Sequence, residues 1–230
     1  ATPFAYSVAV DDPPLLFART FADRLARLNI RAKGKIGLCS VSDIDWDKAE
    51  QIAVTRTPIS KALQRANKDS LNMAAESLML RSGNGEWPVT AKLMEKTLVK
   101  GFGLDPQELT VRDGSGLSRD NRVTPSAMVK VLSKMLGRKG GKLLLESLSV
   151  AGKDGTLRKR MNWICRNRVR AKTGYISKVS CLSGYVTDEK GRPVYAFSIL
   201  VNDIKPGKAW KAKRLQDDIC RELVRSLSDE

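Results

Sequence analysis

The hydrophobic pattern of this chain changes period two-thirds of the way along, and that change limits the folds open to it. Residues 168 to 176, 179 to 187 and 193 to 202 read as three strands in succession. Val186-Thr187-Asp188-Glu189-Lys190-Gly191-Arg192 is a polar hairpin turn, and short turns join antiparallel neighbours. Trp210, Leu215, Ile219, Leu223 and Leu227 then recur at helical spacing. Before the strands the pattern is mostly helical. Asp11-Asp12-Pro13-Pro14 offers a start for a helix carrying Leu15, Leu16, Ala18, Phe21, Ala22, Leu25 and Leu28, which Asn29 closes. Further helices are predicted over 58 to 66, 70 to 80 (ending at Gly83), 87 to 100 (closed by Gly101), 124 to 135 and 142 to 148. Residues 6 to 10 and 109 to 112 read as short strands, 30 to 38 as a connector or strand, and 43 to 50 as a polar loop or boundary. The two glycines of Asp113-Gly114-Ser115-Gly116 mark a tight turn.

The 230 residues suffice for one substantial core. No apolar run approaches the roughly 18 residues of a membrane span, and no signal peptide is visible at Ala1. The balance is basic, 41 Lys+Arg against 25 Asp+Glu, which favours anionic partners. Twelve of the cations lie between Arg138 and Lys178, with only Glu146 and Asp154 opposing them. Aromatic residues are 6% and scattered, whereas a single-strand binding surface interleaves them with the cations. A nucleic-acid partner is therefore not expected. The chain has no histidine, which excludes His-based triads and His-ligated zinc within it; no metal or cofactor is expected. Four widely spaced cysteines leave disulfide pairing open.

Two short motifs carry chemistry. Ser70-Leu71-Asn72 opens a predicted helix, and Lys172-Thr173-Gly174 lies in the first predicted strand of the last third. Alone each is weak: Ser82-Gly83-Asn84 repeats the first pattern at a helix end. Together they resemble the second and third motifs of the penicillin-recognising serine enzymes. The first motif of that set, Ser-x-x-Lys, carries the nucleophile, and no serine here has a lysine three residues on.

The flanking residues extend the resemblance. Asn67-Lys68-Asp69 before Ser70 and Met73-Ala74-Ala75-Glu76 after Asn72, the run from Arg112-Asp113-Gly114-Ser115-Gly116-Leu117-Ser118-Arg119-Asp120-Asn121-Arg122 to Val123-Thr124-Pro125, Val150 to Leu157, Arg168 to Gly174 and Leu182-Ser183-Gly184-Tyr185 are similar to segments of the class C penicillin-binding proteins, the D-alanyl-D-alanine carboxypeptidase/endopeptidase family. They occur in family order over roughly residues 55 to 205. The resemblance implies an α/β fold, an antiparallel sheet flanked by helices of the β-lactamase/transpeptidase type, incomplete in this chain. It implies that 1–50 is the end of an inserted domain or a lead-in segment and 51–230 the C-terminal part of the catalytic domain. A longer polypeptide is expected to hold the nucleophile.

By resemblance, Ser70, Asn72 and Lys172 are catalytic and Thr173, Gly174 and Tyr175 bind substrate. Ser70 relays a proton to the leaving nitrogen. Asn72 accepts from the absent lysine and donates to the substrate carbonyl. Lys172 and the Thr173 hydroxyl hold the leaving D-alanine carboxylate. Gly174 leaves room for the peptide, and the Tyr175 N–H forms half of an oxyanion hole. Family members usually carry threonine where this chain has Tyr175. The implied partner is a peptidoglycan stem peptide, with β-lactams bound only if a nucleophile is supplied, in a periplasmic or extracytoplasmic setting. Asp113, Ser115 and Asn121 are expected to shape a turn, Asp154 and Thr156 to serve as turn and helix-start residues, and Arg168 and Arg170 to add positive potential or occupy exposed strand positions. The rival reading is a non-catalytic homologue that binds wall peptides or a protein.

Overall fold

The computed structural model describes residues 10–161 and 163–227. The chain divides into two compact units, Ala1–Thr55 and Arg56–Glu230. In the first, helix α1 spans Pro13–Arg27. The Asp12 carboxylate accepts from the Leu15 N–H at 2.9 Å, satisfying a donor that the first turn would otherwise leave free. Asn29 ends the helix in the left-handed region, φ 61°. No residue of α1 is buried, and Phe17 and Phe21 stack face to face on its surface. Residues 30 to 38 form no strand, and 41 to 48 hold only two short 3-10 turns. The strand expected over 6 to 10 lies outside the described residues except for Val10.

The second unit begins with α2 (Ile59–Asn67), α3 (Asn72–Ser82), α4 (Trp87–Phe102), a small hairpin of strands β1 (Leu109–Thr110) and β2 (Arg122–Val123), and α5 (Pro125–Leu136). Helix α4 outruns its expected end. Phe102 is buried with Leu104, Leu109 and Ala127, so the helix continues through Gly101 and stops at Gly103, which takes φ 64°. The strand expected over 109 to 112 is halved, because the Glu95 carboxylate takes the Val111 N–H and the Asn121 side chain takes the Arg112 N–H.

After α6 (Gly141–Ser147), strands β3 (Ser149–Val150), β4 (Val169–Ile176), β5 (Val179–Thr187) and β6 (Pro193–Val201) form one antiparallel sheet in that order. Helix α7 (Ala209–Arg225) closes the unit. Alternation along the strands sends residues to two faces. Val169, Ala171, Leu182, Val186 and Phe197 pack with Cys220 and Val224 of α7. On the other face Tyr185 packs with Leu132 and Leu148. Gly184 is required where β4 and β5 meet: a Cβ there would sit 2.1 Å from the Arg170 carbonyl oxygen. All four cysteines are free; Cys165 and Cys220 are buried in the α7-side core.

A buried polar group fixes α7. The Gln216 amide donates to the Ser180 carbonyl and hydroxyl oxygens and accepts from Arg160, which also grips Asp217. On the opposite face the buried Tyr185 hydroxyl donates to the Leu132 carbonyl at 2.8 Å. Burial raises its pKa to about 12. Tyr185→Phe deletes this bond but keeps the ring. We expect a stability loss of about 1 kcal/mol, read as a shift of the urea midpoint at unchanged slope.

Candidate active site on the free edge of strand β4

Strand β4 is paired with β5 along its whole length but with β3 only at Arg170 and Ala171. From Lys172 to Ile176 its outer edge has no strand partner among the described residues. Lys172 lies at the start of that free stretch. Its ammonium donates to the Ser70 hydroxyl oxygen at 2.9 Å and also to the Thr173 carbonyl. Two motifs 102 residues apart thus meet in one hydrogen bond. Lys172 is half-buried, and desolvation pulls its pKa below the ordinary lysine value.

Ser70 sits in the loop between α2 and α3 with φ 52°, a left-handed conformation that costs a β-carbon-bearing residue about 1–2 kcal/mol. Contacts at the α2 end of the loop hold it there. Asn67 donates to the Ser147 hydroxyl at 2.7 Å, and Lys68 pairs with Asp154 at 2.5 Å. Asp154 also accepts from the Val150 N–H of β3. The serine loop is therefore tied to the strand next to Lys172. Asp154 does form a turn, as its place in the sequence suggests, but it also pairs with Lys68, 86 residues away, which turn chemistry alone does not indicate. The available signal was that it is one of only two acids in the basic stretch from 138 to 178.

Asn72 is the first residue of α3 and is exposed. Its side chain makes no hydrogen bond among the described residues, so the structure places it two residues from Ser70 without joining it to the Ser70–Lys172 pair. The Thr173 hydroxyl points to the α7 side of the sheet and donates to the Thr156 hydroxyl at 2.9 Å; Thr156 lies 3.2 Å from the Ser149 hydroxyl. Thr156 is thus a direct neighbour of the lysine motif rather than only a helix-start residue. A Cβ on Gly174 would come 3.3 Å from Cys181 Cβ on β5, so part of the room that glycine leaves is needed by the sheet itself. Tyr175 is 61% exposed at the end of the free edge, with the Lys213 ammonium 5.2 Å from its ring centroid.

The loop from Asp113 to Asn121 flanks this edge. Asp113 accepts from the Gly116 and Ser118 N–H groups and from the Asn121 amide, so Asp113 and Asn121 shape the turn as expected. Glu76 of α3 anchors it, accepting from the Gly114 and Ser115 N–H groups and from the Trp87 indole. Arg119 donates to the Ser177 carbonyl in the β4–β5 turn at 3.2 Å. Arg168 and Arg170 are not at exposed positions: both are partly buried, and Arg168 donates to the Thr187 carbonyl across the sheet.

The model of the D-Ala-D-Ala carboxypeptidase 3 (S13) family matches residues 1–222. The chain belongs to this family. An S13 relative, the D-alanyl-D-alanine carboxypeptidase of an Actinomadura species, is 36% identical over 97% of this chain and 43% of its own length. The carboxypeptidase DacB of Haemophilus influenzae is 29% identical over 89% of this chain and 44% of its own length. The chain thus spans under half the length of these S13 relatives. Penicillin-binding protein 4 from Haemophilus influenzae, solved in complex with a β-lactam, superposes with a TM-score of 0.73 at 27% identity, over 97% of this chain and 53% of that one. The TLA-3 extended-spectrum β-lactamase matches at a TM-score of 0.55 and 16% identity, over 93% of this chain and 82% of its own, which extends the likeness in fold to the β-lactamases. No helix among the described residues is long and apolar enough to cross a membrane.

The Glu76 anchor makes the flanking loop sensitive to acid. Burial raises the Glu76 pKa, but the hydrogen bonds from Ser115, Trp87 and Gly114 outweigh it and leave the value below 4.5. A carboxyl depressed in the folded state stabilises fully above its unfolded value and loses that contribution as the pH falls through the folded one. Glu76→Gln is therefore expected to melt at a lower temperature than wild type at pH 7. The gap should shrink below pH 4.5, the unperturbed value, which melting curves across that range would reveal.

Proposed function

We propose that this chain is the C-terminal catalytic portion of a serine-type D-alanyl-D-alanine carboxypeptidase/endopeptidase acting on peptidoglycan stem peptides outside the cytoplasm. One observation carries the reading: Lys172 Nζ reaches Ser70 Oγ at 2.9 Å beside an unpaired strand edge. Family membership supports it. A free edge offers backbone groups to an extended peptide. The ammonium of Lys172 donates to the Ser70 oxygen, which leaves the Ser70 proton available for the leaving nitrogen. The peptide bond breaks as the nucleophilic serine oxygen bonds to the carbonyl carbon; the departing D-alanine amine takes up the Ser70 proton, and the proton the nucleophile gives up replaces it on Ser70. Lys172 also provides a positive charge for the D-alanine carboxylate, and the Tyr175 N–H a donor for the developing oxyanion. Asn72 completes the set when substrate and nucleophile are both present. In this chain without substrate the Thr173 hydroxyl donates to Thr156, so a carboxylate held by Thr173 would take the place of that partner.

The 230 residues contain no Ser-x-x-Lys, so in this reading the nucleophile lies outside them and the isolated chain forms no acyl-enzyme. Incubation with a fluorescent penicillin should leave the isolated chain unlabelled. A stoichiometric covalent label would mean that another serine, Ser115 or Ser118 first, is the nucleophile.

In a polypeptide that contains the nucleophile as well, Lys172→Ala should lower kcat/KM by roughly tenfold to a thousandfold on a peptide with a free C-terminal carboxylate. The loss should be much smaller on the C-terminal amide, where no carboxylate remains to be held. Equal losses on the two substrates would assign Lys172 a structural role. Absence of turnover with retained peptide binding would favour the non-catalytic, peptide-binding homologue.

A further inference from the structure

One cation on the α7 side of the sheet has an aromatic ring rather than an acid for its partner among the described residues. A surface depression of about 350 Å³ lies along the start of α7, lined by Arg160, Trp210, Lys213, Arg214 and Arg221 with Asp217 and Asp218. Three of its four cations face an acid: Arg160 pairs with Asp217, and Arg214 and Arg221 with Asp218. Lys213 forms no ion pair among the described residues. Its ammonium rests instead over the ring of Tyr175, 5.2 Å from the centroid, within cation–π range. Tyr175 is itself exposed and belongs to the free edge of β4.

Lys213 is held from below. Arg160 donates to its carbonyl oxygen, and one turn further on the buried Gln216 ties the helix to Ser180 of β5. The side chain thus leaves a fixed backbone and ends at the strand edge. Lys172 and Tyr175 stand three residues apart, roughly 10 Å at about 3.3 Å per residue, and alternation directs them to opposite faces of the sheet. A peptide lying along this edge passes between two cations, one on each face. The hydroxyl that could have served an anion on the α7 face, that of Thr173, is already donated to Thr156. Lys213 is the positive donor left there.

We propose that Lys213, steadied on the Tyr175 ring, binds a carboxylate of the peptide that lies along β4. It is a specificity-determining residue for acidic peptides. The inference rests on the peptide-binding reading of the site. Two carboxylates qualify chemically, the C-terminal one and one on a peptide side chain.

The experiment titrates the 230-residue chain with an acyl-D-Ala-D-Ala peptide bearing both carboxylates and follows the exposed Trp210 by fluorescence, with calorimetry as a second readout. Lys213→Ala should weaken binding three- to tenfold and flatten its salt dependence. Lys213→Arg should restore both, and Lys211→Ala should change neither. The carboxylate concerned is the one whose amidation abolishes the difference between wild type and Lys213→Ala. If neither amidation abolishes it, or if Lys213→Ala binds as wild type does while Lys172→Ala is weakened, the inference fails and the reading of the site stands. If the wild-type chain binds no such peptide, both fail.

Discussion

Strand β4 is paired along all eight residues on one side and along only two on the other. The candidate site depends on that asymmetry. Full pairing with β5 fixes the strand's position and twist, and the core on both faces of the sheet holds the pair in place. The short β3 then stops at Val150, and the chain turns away through Asp154. What remains is a rigid strand with exposed edge groups, beginning at Lys172. A longer β3 would bury this edge, and a weaker β5 pairing would leave Lys172 mobile.

The left-handed Ser70 is the second constraint. Such a backbone persists only where its surroundings over-determine it. Here the surroundings are Asn67 on Ser147, Lys68 on Asp154, and Lys172 on the serine itself. Each contact crosses from the end of α2 and the loop after it to the stretch that runs from the end of α6 into β4. The longer stretch from Arg138 to Lys178, which contains these partners, carries most of the excess positive charge of the chain. Its one acid near the site, Asp154, is used to hold a loop rather than to neutralise Lys172. The positive potential at the strand edge is therefore preserved.

Much of the fold could be read from the sequence. Period-two runs bounded by polar turns gave the three long strands within a residue or two, and Thr124-Pro125 marked the start of α5 through a side-chain cap that the structure contains. The misplacements have local causes. Gly101 looks like a helix terminator, but the burial of Phe102 carries α4 past it. Residues 109 to 112 alternate like a strand, but Glu95 and Asn121 take the N–H groups that a partner strand would need.

For the site, the sequence determined which residue types stand at Ser70, Asn72 and Lys172 to Tyr175, and that a strand carries the second set; the helix expected from Ser70 starts at Asn72, which leaves Ser70 in the loop before it. These are local properties, set by spacing and by turn chemistry within a few residues. Only the tertiary structure decided who meets whom: Lys172 with Ser70, Thr173 with Thr156, Lys68 with Asp154, and Lys213 with Tyr175. The partners in these pairs lie 17 to 102 residues apart. A hydrogen bond or ion pair over such a span has no periodic signature in the chain. It arises from the packing of a loop, a strand edge and a helix that are each specified separately.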